Sequence, residues 1–213
     1  MSQLKFILDL FLHIDKNLAA VITQFGGWSY VLLFFVIFME TGLVVTPFLP
    51  GDSLLFAAGA LTASMKVFDI KVLWMLMVLA AFLGDTVNYW IGHFVGPKAF
   101  QSKSKLLKKE YLDKAQAFYD KHGGIAIVLA RFVPIVRTFA PFVAGIGKMH
   151  YTKFLSYNAV GGLLWVSIML LSGYFFGNIP FIKENFHYVV VVIILISVVP
   201  IGIEWLKSRK NKK

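Results

Sequence analysis

Two apolar stretches of this chain are each interrupted by charge and proline, and those interruptions limit what it can fold into. The first reads Glu40-Thr-Gly-Leu-Val-Val-Thr-Pro-Phe-Leu-Pro-Gly-Asp52 and carries two carboxylates. The second reads Arg131-Phe-Val-Pro-Ile-Val-Arg-Thr-Phe-Ala-Pro141 and carries two guanidiniums. One central charge in a bilayer-spanning segment costs roughly 2.5–3.5 kcal/mol even on the lenient insertion scale. A chain that carries such groups twice, with opposite signs, is expected to surround a buried polar site with them. Function is to be sought there.

The surrounding sequence justifies the bilayer comparison. Of 213 residues, 58% are hydrophobic and 15% charged, and the mean hydropathy is +0.74. Several windows approach or exceed the ~20 apolar residues needed to cross hydrocarbon. The fold class is therefore an all-α polytopic membrane protein with one membrane domain. The net charge of +10 does not imply nucleic-acid binding, because the basic residues gather at 98–121 and 205–213, beside hydrophobic segments. That distribution marks cytoplasmic loops and attracts anionic headgroups. Cysteine is absent, so disulfide and thiolate chemistry are excluded.

Residues 1–27 do not read as a cleaved signal peptide, since Asp9, His13 and Asp15 break the apolar run. Leu4, Ile7, Leu8, Phe11, Ile14, Leu18, Val21, Ile22 and Phe25 recur at three- and four-residue spacing. An interfacial amphipathic helix fits that period, and so does a helix packed on the bundle. Residues 28–206 form the transmembrane domain. Its first run, 28–63, is too long for one span and barely enough for two, and Pro47, Pro50 and Gly51 interrupt it. A helix over 28–45 and a re-entrant broken segment over about 46–63 account for this. Irregular backbone survives at membrane depth only when buried in protein or lining a cavity.

Residues 71–95 make a clean span. The basic segment 97–122 holds an apolar stripe of Leu107, Tyr111, Ala115 and Phe118, so a surface-lying cytoplasmic helix is expected. The second re-entrant segment, 124–147, contains Arg131, Pro134, Arg137 and Pro141, and spans over 154–177 and 186–206 follow. That makes about four transmembrane helices, with a basic cytoplasmic tail at 207–213. If both basic regions are cytoplasmic, the first broken segment enters from outside and the second from inside. The result is an inverted repeat. A faint echo supports it: Phe56-Ala-Ala-Gly59 against Phe142-Val-Ala-Gly145, and Gly92-x-x-x-Gly96 against Gly173-x-x-x-Gly177. Gly92-x-x-x-Gly96 suits either a homo-oligomer contact or close packing within one chain.

Glu40 and Asp52 are candidate proton-coupling residues, because intramembrane carboxylates commonly load and release protons in transporters. The plainer reading is that they neutralise Arg131 and Arg137 and hold two hairpins together. The two arginines lie six residues apart, which would put them on different helix faces; a break at Pro134 would let them converge. Arginine matches phosphate bidentately and stays charged in a low dielectric, so a partly apolar phosphate compound suits the cavity. Pro47, Pro50, Gly51, Pro134 and Pro141 shape the hairpins. Asp85, Asn88 and Tyr89 either line the cavity or serve helix packing, and His93 is more often an interfacial residue. No metal-ligand spacing and no nucleophile–base motif is present, so neither a metal, a cofactor nor an enzymatic activity is expected.

The stretch from Glu40 to Gly59, with Gly84-Asp-x-x-Asn-Tyr89, His122-Gly-Gly124 and Ala130 to Gly145, resembles the DedA family of bacterial inner-membrane proteins, also described as SNARE-associated or VTT-domain proteins. The resemblance runs through nearly the whole chain. It implies two re-entrant hairpins, dependence on proton-motive force, and translocation of lipid phosphates, undecaprenyl phosphate among them. It places the family's required acids on Glu40 and Asp52 and its required arginines on Arg131 and Arg137. The expected function is a proton-coupled translocase of a lipid phosphate in the bacterial inner membrane, with both termini cytoplasmic. The alternatives are a small-ion or drug/proton antiporter and a non-transporting assembly factor.

Overall fold

Two stretches free of proline and nearly free of charge fold as unbroken helices of 26 residues each, Ile70–Val95 and Tyr151–Phe176. At 1.5 Å per residue each is about 39 Å long, enough to cross a hydrocarbon core of about 30 Å. The computed structural model describes residues 25–43, 51–95, 109–177 and 179. Nearly all of the expected 1–27 helix, Pro47, Pro50, residues 97–108, the 186–206 span and the 207–213 tail lie outside the described residues.

In chain order the helices are α1 (Trp28–Gly42), α2 (Gly51–Met65), α3 (Ile70–Val95), α4 (Lys109–His122), α5 (Ala126–Ala130), α6 (Pro134–Ile146) and α7 (Tyr151–Phe176). A 3-10 turn at Gly123–Ile125 joins α4 to α5. Among the described residues every regular element is helical. The helices that follow the two interruptions, α2 with 15 residues and α6 with 13, reach only about 20 Å, short of the hydrocarbon thickness.

Local chemistry sets the boundaries. Asp69 Oδ1 accepts the backbone N–H groups of Lys71 (2.8 Å) and Val72 (3.1 Å), capping α3. Gly123 takes a left-handed φ of +60° immediately after α4, where a side chain would be strained. Pro134 occupies the first position of α6, and Val133 before it is extended at φ −116°, ψ 104°, as proline requires of its predecessor. Lys66 (φ 52°) and Lys148 (φ 51°) turn the chain after α2 and α6.

The chain divides into two compact units. The first comprises Met1–Leu33, Pro50–Leu76 and Val166–Lys213. Here α2 packs on the C-terminal part of α7 with backbone against backbone: a Cβ on Gly59 would strike the Leu170 carbonyl, and one on Gly173 the Phe56 carbonyl. Residues 51–60 are all buried, and beyond Asp52 and Ser53 that stretch is apolar on every face. Trp74 Nε1 donates to Ser167 Oγ at 2.9 Å, and the Asp69 N–H donates to the Tyr30 hydroxyl at 2.8 Å.

The second unit comprises Phe34–Leu49 and Met77–Trp165. It contains a crossing of the same kind, where Gly92 meets the Phe142 carbonyl and Gly145 the Tyr89 carbonyl. Gly92 is thus taken up by packing within the chain. The core beside this crossing holds Tyr89, Ile127, Phe139, Phe142, Val143, Met149 and Phe154, and α4 lies along α6. Along α3 the exposed residues include Val72, Met75, Leu79, Leu83, Val87, Trp90 and Phe94, an outward apolar stripe at helical spacing. A surface of that kind suits lipid rather than water.

Candidate functional site

The break in the second apolar stretch falls at Arg131–Val133. Phe132 N–H reaches back to the Leu129 carbonyl (3.1 Å) and Val133 N–H to the Ala130 carbonyl (2.9 Å), closing α5 in a tight turn. Pro134 then starts a new helix, and Arg137 falls in its first turn. On one continuous helix the two arginines would point about 120° apart. Across the break both guanidiniums converge on one indole ring: Cζ of Arg131 lies 6.0 Å and Cζ of Arg137 5.2 Å from the Trp165 centroid. Such cation–π contacts contribute about 0.5–2 kcal/mol, more when desolvated.

Each guanidinium meets a buried acid. Arg137 Nη2 donates to Glu40 Oε1 at 2.6 Å, with side-chain exposures of 8% and 1%. Arg131 Nη2 donates to Asp85 Oδ2 at 2.5 Å, with exposures of 2% and 3%. The same Nη2 donates to Asn158 Oδ1 at 2.6 Å. The Asn158 amide in turn donates to the Phe82 carbonyl at 3.0 Å, tying α7 to α3 behind the pair. All of these residues belong to the second unit.

The plainer of the two sequence readings made Glu40 and Asp52 the counter-charges of the arginines. Glu40 does pair with Arg137, but the acid against Arg131 is Asp85. The turn at 131–133 ends α5 beside the face of α3 that carries Asp85, and Asn88 lies one turn further along that face. Asp52 is buried in the first turn of α2 and belongs to the first unit. Gly51 is the first residue of α2, and Pro134 starts α6 as the break required. Pro141 lies inside α6, which runs through it, so this proline does not make the interruption.

Asn88 and Tyr89 have structural partners as well. Asn88 Nδ2 donates to the carbonyls of Thr41 (3.0 Å) and Thr138 (2.8 Å), which adjoin Glu40 and Arg137. One amide thereby fixes the backbone beside both members of an ion pair. Tyr89 donates its hydroxyl to the Met149 carbonyl at 2.5 Å and stacks on Phe154 at 4.4 Å. His93 sits among Tyr89, Trp90 and Phe94 at the end of α3. Among the described residues no group of three or more His, Asp and Glu is placed to hold a metal.

Four residues of the site went unread in the sequence: Asn158, Gly161, Gly162 and Trp165. Their spacing is the signal, since positions i, i+3, i+4 and i+7 share one face of α7. The glycines make room for arginine. A Cβ on Gly161 would lie 3.1 Å from Arg131 Cδ and Nε, and one on Gly162 would lie 3.5 Å from its Nη2.

A family model for the VTT domain matches residues 49–175. The chain is 52% identical to Protein DedA of Escherichia coli strain K12, over 99% of this chain and 97% of that protein. It is 43% identical to an uncharacterised membrane protein of Mycobacterium tuberculosis, over 83% and 78% of the two chains. Identity to the inner membrane protein YghB of Escherichia coli is 35%, over 79% and 77%. No solved structure matches it significantly.

Proposed function

The chain belongs to the VTT-domain, or DedA, family of membrane proteins, and from that premise we propose that it is a translocase of a lipid phosphate in the bacterial inner membrane, driven by proton-motive force. Undecaprenyl phosphate, the carrier whose recycling the family resemblance implies, is the substrate proposed. The observation that carries this reading is the buried cluster in which two guanidiniums gather at one indole ring, each held by a carboxylate. A phosphate monoester bears about −1.5 to −2 charges at neutral pH. It competes with carboxylates for arginine, and it wins when the carboxylate takes up a proton.

In this mechanism a proton arriving on Glu40 neutralises it and releases Arg137 to the headgroup. The phosphate then replaces the lost negative charge, so the cluster is never strongly charged in low dielectric. Loss of the proton on the opposite side restores the Glu40–Arg137 pair and expels the lipid. Asp52 is the second proton-coupling residue in this proposal. Alternating access comes from two re-entrant segments entering from opposite faces. The short α2 and α6, and the glycine–carbonyl crossing found once in each unit, favour such an inverted repeat. Translocation makes and breaks no covalent bond, so no enzymatic activity is assigned.

A second reading, a non-transporting assembly factor, draws support from the same ion pairs, because salt bridges that satisfy one another can simply lock helices. Reconstitution in liposomes with labelled undecaprenyl phosphate separates the two. The proposal expects lipid movement that rises with an imposed pH gradient. Protein that moves no lipid with or without the gradient refutes it.

A further inference from the structure

We propose that Asp85 and Asn158 are positioning residues that present Arg131 to the phosphate, an inference that rests on the lipid-phosphate reading above. Arginine has five N–H donors in a fixed plane. In Arg131 the two on Nη2 are taken, one by Asp85 at 2.5 Å and one by Asn158 at 2.6 Å. Nη1 and Nε are buried and have no hydrogen-bond partner among the described residues. Three charged donors are therefore held without an acceptor in a side chain only 2% exposed. A buried ionic donor left in that condition is costly, and a purely structural lock would have been built to satisfy it.

The surroundings fix the guanidinium and leave that side of it uncommitted. Asp85 comes from α3 and Asn158 from α7, so Nη2 is clamped from two helices. Gly161 and Gly162 place no side chain against the arginine, and Trp165 lies beneath it. The groups acting electrostatically on Arg131 are Asp85, Arg137 and Glu40. None of these fills Nη1 or Nε. A phosphate oxygen, strongly accepting and negatively charged, is the group those nitrogens would take. Arg131 is then a preorganised anchor, and its two clamps set the direction in which it faces.

The test uses the full chain in detergent and measures the affinity of undecaprenyl phosphate, with undecaprenol and inorganic phosphate as comparison arms. Wild type is expected to bind the lipid phosphate and not undecaprenol, while inorganic phosphate tells whether the headgroup alone suffices. Asp85→Asn and Asn158→Leu, checked for folding, are each expected to weaken binding by about 10-fold or more, as loss of a hydrogen bond to a charged group does. In an Arg131→Lys background Asn158→Leu is expected to add little, because its effect passes through the fork it positions. A merely structural role would leave its effect additive. Wild-type affinity in Asn158→Leu, or full additivity with Arg131→Lys, overturns the inference while leaving the lipid-phosphate reading intact. Wild type that binds neither lipid, or both equally, overturns both. Should Asp85→Asn fail to fold, Asn158→Leu decides alone, since it removes no counter-charge.

Discussion

Replacing Glu40 with methionine removes the carboxylate that holds Arg137 and leaves a full positive charge with 8% exposure. With both side chains this deeply buried, solvent screening gives little relief. Breaking a buried pair from one side costs about 3–5 kcal/mol, whereas exchanging both partners for apolar groups of similar volume is often neutral. At about 2–4 °C per kcal/mol for a chain of this length, Glu40→Met should lower the unfolding midpoint in detergent by about 6–20 °C. Arg137→Met alone should cost a similar amount, since it strands the carboxylate. The double variant Glu40→Met/Arg137→Met should return to within about 2 kcal/mol of wild type. Thermal unfolding followed by a thiol-independent probe such as intrinsic tryptophan fluorescence reads all four proteins. A Glu40→Met protein within about 1 kcal/mol of wild type would refute the argument, and so would a double variant whose loss equals the sum of the singles.

Trp165→Phe should keep part of the attraction to both guanidiniums and Trp165→Leu should lose it. The leucine variant is therefore expected to bind undecaprenyl phosphate more weakly than the phenylalanine variant, by about 2- to 10-fold in Kd. Gly92→Ala and Gly173→Ala drive a methyl into backbone carbonyls and should sharply reduce the yield of folded protein on size-exclusion chromatography. Gly27→Ala, with nothing within 4 Å, should leave that yield unchanged. The chain has no cysteine, so a single introduced thiol is an unambiguous reporter of sidedness. Lys66→Cys should react with an impermeant maleimide from outside the cell and Lys148→Cys only after the membrane is opened; labelling of both from one side would contradict opposite-facing hairpins.

The position of the break at Arg131–Val133 was legible because proline acts locally: Pro134 dictates an extended Val133 from two residues of sequence. Convergence of Arg131 and Arg137 followed from that break. The choice of partner did not follow, because which acid meets Arg131 depends on how α3 and α7 cross, and sequence spacing carries no record of that. In the sequence Asp85 is one member of a polar cluster with Asn88 and Tyr89, a pattern that suits packing and cavity-lining equally. The length and hydropathy of 154–177 mark a span but carry no sign of the face formed by Asn158, Gly161, Gly162 and Trp165. Conversely, the four-residue echoes around Gly59 and Gly145 looked weak as strings. Each proves to be one half of a glycine–carbonyl contact, with Gly173 or Gly92 supplying the other.

Those contacts have a mechanical corollary. Ordinary helix pairs mesh through side-chain ridges, and one can pass the other only by unlocking rotamers in discrete jumps. Where Gly59 and Gly173 face the carbonyls of Leu170 and Phe56, and Gly92 and Gly145 those of Phe142 and Tyr89, no side chain interposes. Two smooth backbones touching at a point make a bearing: one rod can swivel or tilt on the other while the point itself stays close-packed. Each short helix is thus mounted on its long neighbour by a pivot that has no side chain to unlock at the point of contact.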